Sequence, residues 1–333
     1  MIVLSADIGG TSTRLQLTAY QNGKMTTLMH EQYASMNHPS LTDLIKQFID
    51  NSDHQSADIH SACFAVAGPI IDGRVKFTNL PWFVEEHSLQ EALGIRVVKL
   101  INDFQAIGYG IETLLNTDIE TLQVGVNQLH APRAIIGAGT GLGVALMYWN
   151  GTYYDVYPTE GGHVDFAPAD EEQLALFDYL KSKLHRVSIE RVASGIGIVN
   201  CYKFACDNPL YNETESAKMR YAMHQETDKA ATIAKFAFEK QDPVALRAMD
   251  LFLRAYGAAA GNLALTTLPY GGLFVVGGIA PKILPHLKAG SFMRCYADKG
   301  RMSQMLGDIP VHVVLNTHVG LQGAALYATR LTT

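Results

Sequence analysis

The chain has 333 residues, with 26 Lys and Arg against 32 Asp and Glu and a formal net charge of −6. Hydrophobic residues make up 48% and charged ones 17%, which excludes a disordered chain. The acidic balance and the lack of any Lys/Arg run argue against a polyanion-binding footprint, so no nucleic-acid partner is expected. The length exceeds what one hydrophobic core normally fills, and two domains are expected.

The N-terminus opens directly on a strand-like run, Ile2–Asp7, with no basic segment or cleavage site ahead of it. Gly9-Gly10-Thr11 reads as a turn, Arg14–Tyr20 as an alternating strand, Asn22-Gly23 as a hairpin turn and Met25–Tyr33 as the returning strand. Leu41–Asp50 then shows helical spacing, at Leu41, Leu44, Ile45 and Phe48. His60–Val66 and Val97–Ile101 read as strands, the second ending at Asn102-Asp103. The opening order then returns: strand Arg133–Ile136, turn Gly137–Gly141, strand Val144–Trp149, turn Asn150-Gly151 and strand Tyr153–Tyr157. Thr11 and Thr140 stand at nearly the same offset as Asn22 and Asn150, which points to two copies of one unit. Helical patterns cover Leu174–Leu184, Ser188–Val192, Val199–Cys206, Thr227–Glu239 and Pro243–Thr267, and a late strand, Pro310–Leu315, precedes a closing helix at Leu321–Thr329.

The uncharged stretch from Ala255 to Ala280 is long enough to span a bilayer. Its glycines and the Pro269-Tyr270-Gly271-Gly272 stop make a buried helix, a turn and a core strand at Leu273–Val276 the better reading, and no membrane partner is expected. Cys63, Cys201, Cys206 and Cys295 form no CxxC pair and lie in mostly apolar contexts, which reads as buried, reduced thiols in a cytoplasmic protein. No low-complexity linker divides the chain. A small domain of residues 1–112 plus 317–333 and a large one of 113–316 are expected, hinged near residue 112.

Asp7-Ile8-Gly9-Gly10-Thr11 follows a strand and reads either as a tight hairpin or as a phosphate loop. In the second case glycine N–H groups approach phosphate oxygens, and Asp7 holds Mg²⁺ through water. Gly137-Ala138-Gly139-Thr140-Gly141 is a second such turn. Leu142 and Val144 stand where the dinucleotide fingerprint would need glycine, and the chain has no Gly-Lys-Ser/Thr. Asp103 at a strand end is placed either to take a hydroxyl proton or to cap a helix. Glu160, His163 and, further on, Glu190 offer donors and acceptors suited to neutral hydroxyls. A metal reading of His163 and Asp165 lacks further ligands. Gly277-Gly278-Ile279 reads as a plain turn or as backbone that approaches a flat base closely.

Six segments in order resemble the bacterial glucokinase family over essentially the whole chain. They are Asp7–Thr11, Ile101-Asn102-Asp103-Phe104, Gly137–Val144, Glu160–Pro168, Glu190–Gly195 and Gly277-Gly278-Ile279. The resemblance implies an α/β, two-lobed actin-like ATPase (ribonuclease H-like) fold with internal duplication and an interlobe cleft. It implies a kinase that moves the γ-phosphoryl group of Mg-ATP to the 6-hydroxyl of glucose, with Asp103 as catalytic base. Asn102, Glu160, His163, Glu190 and Asn79 would hold the sugar. Asp7, Gly9, Gly10, Thr11, Gly137, Gly139, Thr140 and Gly141 would hold phosphates and Mg²⁺, and Gly277 and Gly278 would border the adenosine. It also implies a homodimer. Related ROK kinases carry a cysteine-rich zinc motif after Gly-Gly-His; here Val164–Ala169 has no cysteine, so no zinc is expected. Kinases for other hexoses, a non-catalytic sugar sensor and a binding ATPase are the competing readings.

Overall fold

Two alternating apolar runs open the chain as strands β1 (Ile2–Ile8) and β2 (Ser12–Gln21). A hairpin with Asn22 at φ 51° and Gly23 at φ 77° returns β2 into β3 (Lys24–Ala34). Two central residues at positive φ match the right-handed twist of the strands they join. The structure, a computed structural model, describes residues 1–77, 80–208 and 214–331. The chain divides into two units: Met1–Thr117 with Thr152–Pro158 and Asn316–Thr333, and Asp118–Gly151 with Thr159–Leu315.

In the first unit β4 (Ile59–Val66) pairs in parallel with β1. Short strands β5 (Arg74–Lys76) and β6 (Phe83–Glu85) form a hairpin of their own, and β7 (Val98–Asn102) pairs in parallel with β4. The main sheet runs β3-β2-β1-β4-β7. Helix α1 (Leu41–Asp50) buries Leu41, Leu44, Ile45, Phe48 and Ile49, and Ser40 caps it by accepting from Asp43 N–H. Helix α2 (Glu86–Leu93) buries Leu89 and Leu93. Helix α3 (Asp103–Ile111) follows β7 directly, and Val319–Arg330 closes the unit. Leu4, Leu17, Phe48 and Phe64 are fully buried in its core. Burying one such side chain contributes ~1.5–3 kcal/mol.

The second unit contains β8 (Ile119–Gln123), β9 (Arg133–Ala138), β10 (Leu142–Trp149), β12 (Leu273–Val276) and β13 (Val311–Val314); β11 (Tyr154–Thr159) lies across the division of the chain. Strand β10 is antiparallel to β9, β9 is parallel to β12 and β12 to β13, with β8 antiparallel at the edge. The order β10-β9-β12-β13 repeats β2-β1-β4-β7 with the same directions, so the units are two copies of one sheet plan. Helices α4 (Glu171–Leu184), α5 (Gly195–Asp207), α6 (Ala217–Gln225), α7 (Lys229–Lys240) and α8 (Pro243–Thr267) belong to this unit. Proline opens α8 behind an Asp242 cap, and Leu268 at φ 47° ends it. The stretch from Ala255 to Ala280 is thus helix, turn and core strand, and among the described residues no helix is long and apolar enough to cross a membrane. Cys63 and Cys201 are buried, whereas Cys206 is exposed and Cys295 only partly buried, contrary to the uniform burial expected from their neighbours.

Candidate active site

The parallel strands of the first unit end in register: Ile8 lies opposite Val66, and Val66 opposite Asn102. The turn after β1 and the Asn102-Asp103 pair after β7 therefore leave the sheet at one carboxyl edge, the edge where α/β sheets bind ligands. Gly9 N–H donates to Ser12 O at 3.0 Å, Ser35 N–H to Thr11 O at 3.1 Å and the Ser35 hydroxyl to Gly9 O at 2.9 Å. These bonds fix the shape of the Gly9–Thr11 turn. Asp7 faces Arg14 Nη1 at 3.7 Å, and Arg14 is itself held by Gln32 Oε1 and by Thr317 O. Burial pushes the Asp7 carboxyl above its ordinary range, and Arg14 and His318 offset only part of that rise. A single, partly exposed carboxylate with an unfavourable charge fits a cation that keeps most of its own waters.

Asn102 caps α3, its Oδ1 accepting from Phe104 N–H at 2.9 Å and from Gln105 N–H at 3.4 Å. The capping role therefore falls to Asn102, and Asp103 occupies the first helical position with its Oδ1 on Phe104 N–H at 2.9 Å. A carboxylate there sits at the positive end of the helix dipole.

The turn after β9 is held from both sides. Gly139 N–H donates to Gly141 O at 2.9 Å, Gly195 N–H to Gly139 O at 2.8 Å and Ile196 N–H to Thr140 O at 3.4 Å. On the strand side, Ala138 N–H donates to the Tyr256 hydroxyl at 3.2 Å, and that hydroxyl donates to Ile136 O at 3.3 Å. A cavity of about 440 Å³ is lined by Gly139, Thr140, Gly195, Thr227, Gly278 and Lys282, among others. That volume is in the range of cofactor sites, and the N-terminal ends of α5 and α7 border it with their positive dipole ends. Gly277 is at φ 91°, and a Cβ there would meet Ala138 O at 2.6 Å, so only glycine fits; a Cβ on Gly278 would meet nothing within 4 Å. Gly277-Gly278 therefore follows β12 beside the end of β9, with open space next to its backbone.

Glu160, His163 and Glu190 come together in the same unit. His163 Nε2 lies 3.7 Å from Glu160 Oε2, and His163 Nδ1 lies 3.9 Å from Glu190 Oε1. The 3₁₀ turn Gly161–His163 sets the first pair, with His163 N–H donating to Glu160 O at 2.9 Å. The 3₁₀ turn Ile189–Arg191 presents Glu190, in a segment whose spacing suggested a longer helix. Glu190 does not pair with Arg191: its Oε2 accepts Leu142 N–H at 3.0 Å. Asp165 is engaged by Arg186 at 2.8 Å, and among the described residues no three His, Cys, Asp or Glu side chains converge as a metal site. Carboxylates beside an imidazole present acceptors and a donor to neutral hydroxyl groups.

Asn79 lies outside the described residues. The sequence reading gave no role to Thr227 and Lys282, which line the cavity, or to Tyr256, which pins the turn, and placed Gly195 only at the end of a resembling segment. Ser194 ahead of an apolar run was a legible helix cap, and its hydroxyl accepts from Gly197 N–H at 3.0 Å. Nothing local marks Tyr256, because its contact is with residues distant in sequence.

The sequence model of the glucokinase family matches residues 4–331. A glucokinase of Nostoc sp. (strain PCC 7120) is 46% identical, covering 99% of both chains. The crystal structure of a glucokinase from an Antarctic psychrotroph superimposes with a TM-score of 0.85 at 29% identity, covering 99% of each chain. The glucokinase of Balamuthia mandrillaris, solved in complex with glucose, gives a TM-score of 0.75 at 23% identity, covers 99% of this chain and 93% of that one, and speaks for the fold alone.

Proposed function

The chain belongs to the glucokinase family, and we propose that it transfers the γ-phosphoryl group of ATP to the 6-hydroxyl of glucose, giving glucose 6-phosphate and ADP. The observation that carries this reading is the convergence of Glu160, His163 and Glu190 beside a glycine turn that opens on a cavity of cofactor size.

In this reading Asp103 accepts the proton of the 6-hydroxyl as that oxygen attacks phosphorus. Its place at the start of α3, with Oδ1 held by Phe104 N–H, supports an oriented base. Asn102, Glu160, His163 and Glu190 hold the remaining hydroxyls, with Asn79 as a further contact. Phosphoryl transfer asks chiefly for positioning and charge neutralisation, and these residues supply the positioning. The N–H-rich turns at Gly9-Gly10-Thr11 and at Gly137, Gly139, Thr140 and Gly141 receive phosphate oxygens, and Gly277-Gly278 borders the base. Mg²⁺, when bound, neutralises charge on the phosphates; Asp7 would hold it through water. We further propose a cytoplasmic homodimer without structural zinc, to be checked by light scattering and metal analysis.

The test is ADP release with Mg-ATP and glucose, run in parallel with fructose, mannose and N-acetylglucosamine. Release with glucose at the highest kcat/KM supports the reading. Release with another sugar keeps the phosphotransfer and changes the substrate. No release from folded protein that binds ATP favours a sugar sensor or a binding ATPase.

A further inference from the structure

We propose that Glu190 is a positioning residue that couples sugar binding to the phosphate turn Gly139–Gly141, with Gly141 as the point of contact. The inference rests on the reading of Glu160, His163 and Glu190 as the sugar-holding group.

The two carboxylate oxygens of Glu190 face different tasks. Oε1 is turned toward His163 Nδ1 at 3.9 Å. Oε2 accepts Leu142 N–H at 3.0 Å, the first backbone donor after the turn. A Cβ on Gly141 would lie 2.4 Å from that same Oε2 and 3.2 Å from the carboxylate carbon. A side chain at 141 would therefore displace the Glu190 carboxylate, whereas the backbone there is not in the left-handed region and sets no such demand. The main chain of Glu190 adds a second route. Its carbonyl accepts the Ser194 hydroxyl at 2.6 Å, Ser194 caps α5, and Gly195 N–H at the start of α5 donates to Gly139 O at 2.8 Å.

A sugar hydroxyl donating to Oε1 fixes the plane of the carboxylate and with it the position of Oε2. Oε2 in turn holds Leu142 N–H and the Gly141 end of the turn. Sugar thus orders the phosphate turn before nucleotide arrives, and by linkage nucleotide on the turn strengthens sugar binding by the same factor. Loss of this contact should be visible in either binary complex, with no phosphotransfer involved.

The test is calorimetric titration of the full chain with glucose in the absence of nucleotide, on the unaltered protein, Gly141→Ala and Gly307→Ala. Gly307, which lies outside the site, is the control, because a Cβ there meets nothing within 4 Å. Gly141→Ala is expected to weaken glucose binding on the order of 10-fold, within the usual range of coupling factors, and Gly307→Ala by less than about 2-fold. A second titration uses the non-hydrolysable ATP analogue AMP-PNP without sugar. Glu190→Ala is expected to weaken its binding by about 5-fold or more, because no side-chain acceptor then remains for Leu142 N–H. Glucose affinity of Gly141→Ala equal to that of the unaltered protein, or falling equally in both glycine variants, overturns the coupling. So does unchanged AMP-PNP affinity in Glu190→Ala, the measurement that decides if Gly141→Ala does not fold. Failure of the unaltered protein to bind glucose overturns the sugar reading itself.

Discussion

Asn102 and Asp103 share one backbone donor: the Oδ1 atom of each accepts from Phe104 N–H at 2.9 Å. The start of α3 thus orients two adjacent side chains at the carboxyl edge of the first sheet. One of them caps the helix while the other carries the charge. The division of labour lets stability and the proposed chemistry be separated by mutation.

Asp103→Ala is expected to lower kcat by ~10²–10⁴, the range for a lost general base, while glucose affinity stays within a few-fold. Asp103→Asn keeps an oxygen for Phe104 N–H yet cannot take a proton, so it should fold normally and be equally slow. Single-turnover rates of the two variants make the check, and near-normal turnover in either rejects Asp103 as the base.

Asn102→Ala removes the cap and is expected to destabilise the fold by ~0.5–2 kcal/mol. Asn102→Asp restores the cap but sets a second carboxylate beside Asp103 and removes the amide donor. Its melting temperature should match that of the unaltered protein while its KM for glucose rises. A variant with unaltered KM would leave Asn102 as a helix cap and nothing more.

Tyr256→Phe leaves the buried Ala138 N–H and Ile136 O without the hydroxyl between them. A buried donor so abandoned costs ~1–3 kcal/mol, to be read as a lower urea midpoint. Because Ala138 immediately precedes Gly139–Gly141, proposed above to hold phosphate, the KM for ATP should rise as well, with the KM for glucose changing less.

Much of this arrangement was legible in the sequence wherever local chemistry dictated structure. Asn22-Gly23 fixed the first hairpin, the spacing of Leu41, Leu44, Ile45 and Phe48 fixed α1 to the residue, and the recurrence of Gly-Thr turn and Asn-Gly hairpin revealed the repeated sheet. The proximity of Glu160, His163 and Glu190 was legible only by resemblance, since no spacing rule joins residues 163 and 190. Edge strand β8 escaped because four of its five residues are half-buried, Thr121 alone is exposed, and no clean alternation results. Helices α2 and α6 escaped because each buries only one or two side chains, too few to mark a period. Gly141 was readable as a turn residue, but the carboxylate that a side chain there would displace belongs to Glu190, 49 positions later in the chain.

Asp7 offers a test in which pH, stability and cofactor meet. Burial raises its carboxyl above the ordinary value, so ionising it costs the folded state more than the unfolded chain. The contribution of Asp7 to stability is therefore complete below the unfolded value of about 3.9 and is lost as pH rises through the folded one. On this direction the ionised group should lower the stability of the fold at neutral pH. Asp7→Asn should accordingly melt higher than the unaltered protein at pH 7. The gap should close as pH falls below about 4, where both side chains are neutral. In the same melts Mg²⁺ with AMP-PNP should stabilise the unaltered protein more than the variant, because only the former offers the carboxylate. Turnover of Asp7→Asn should fall despite its higher melting temperature. A variant that melts lower at pH 7 would mean that the 3.7 Å approach of Arg14 outweighs the burial of Asp7, and that the carboxylate belongs to the ion pair before it belongs to the metal.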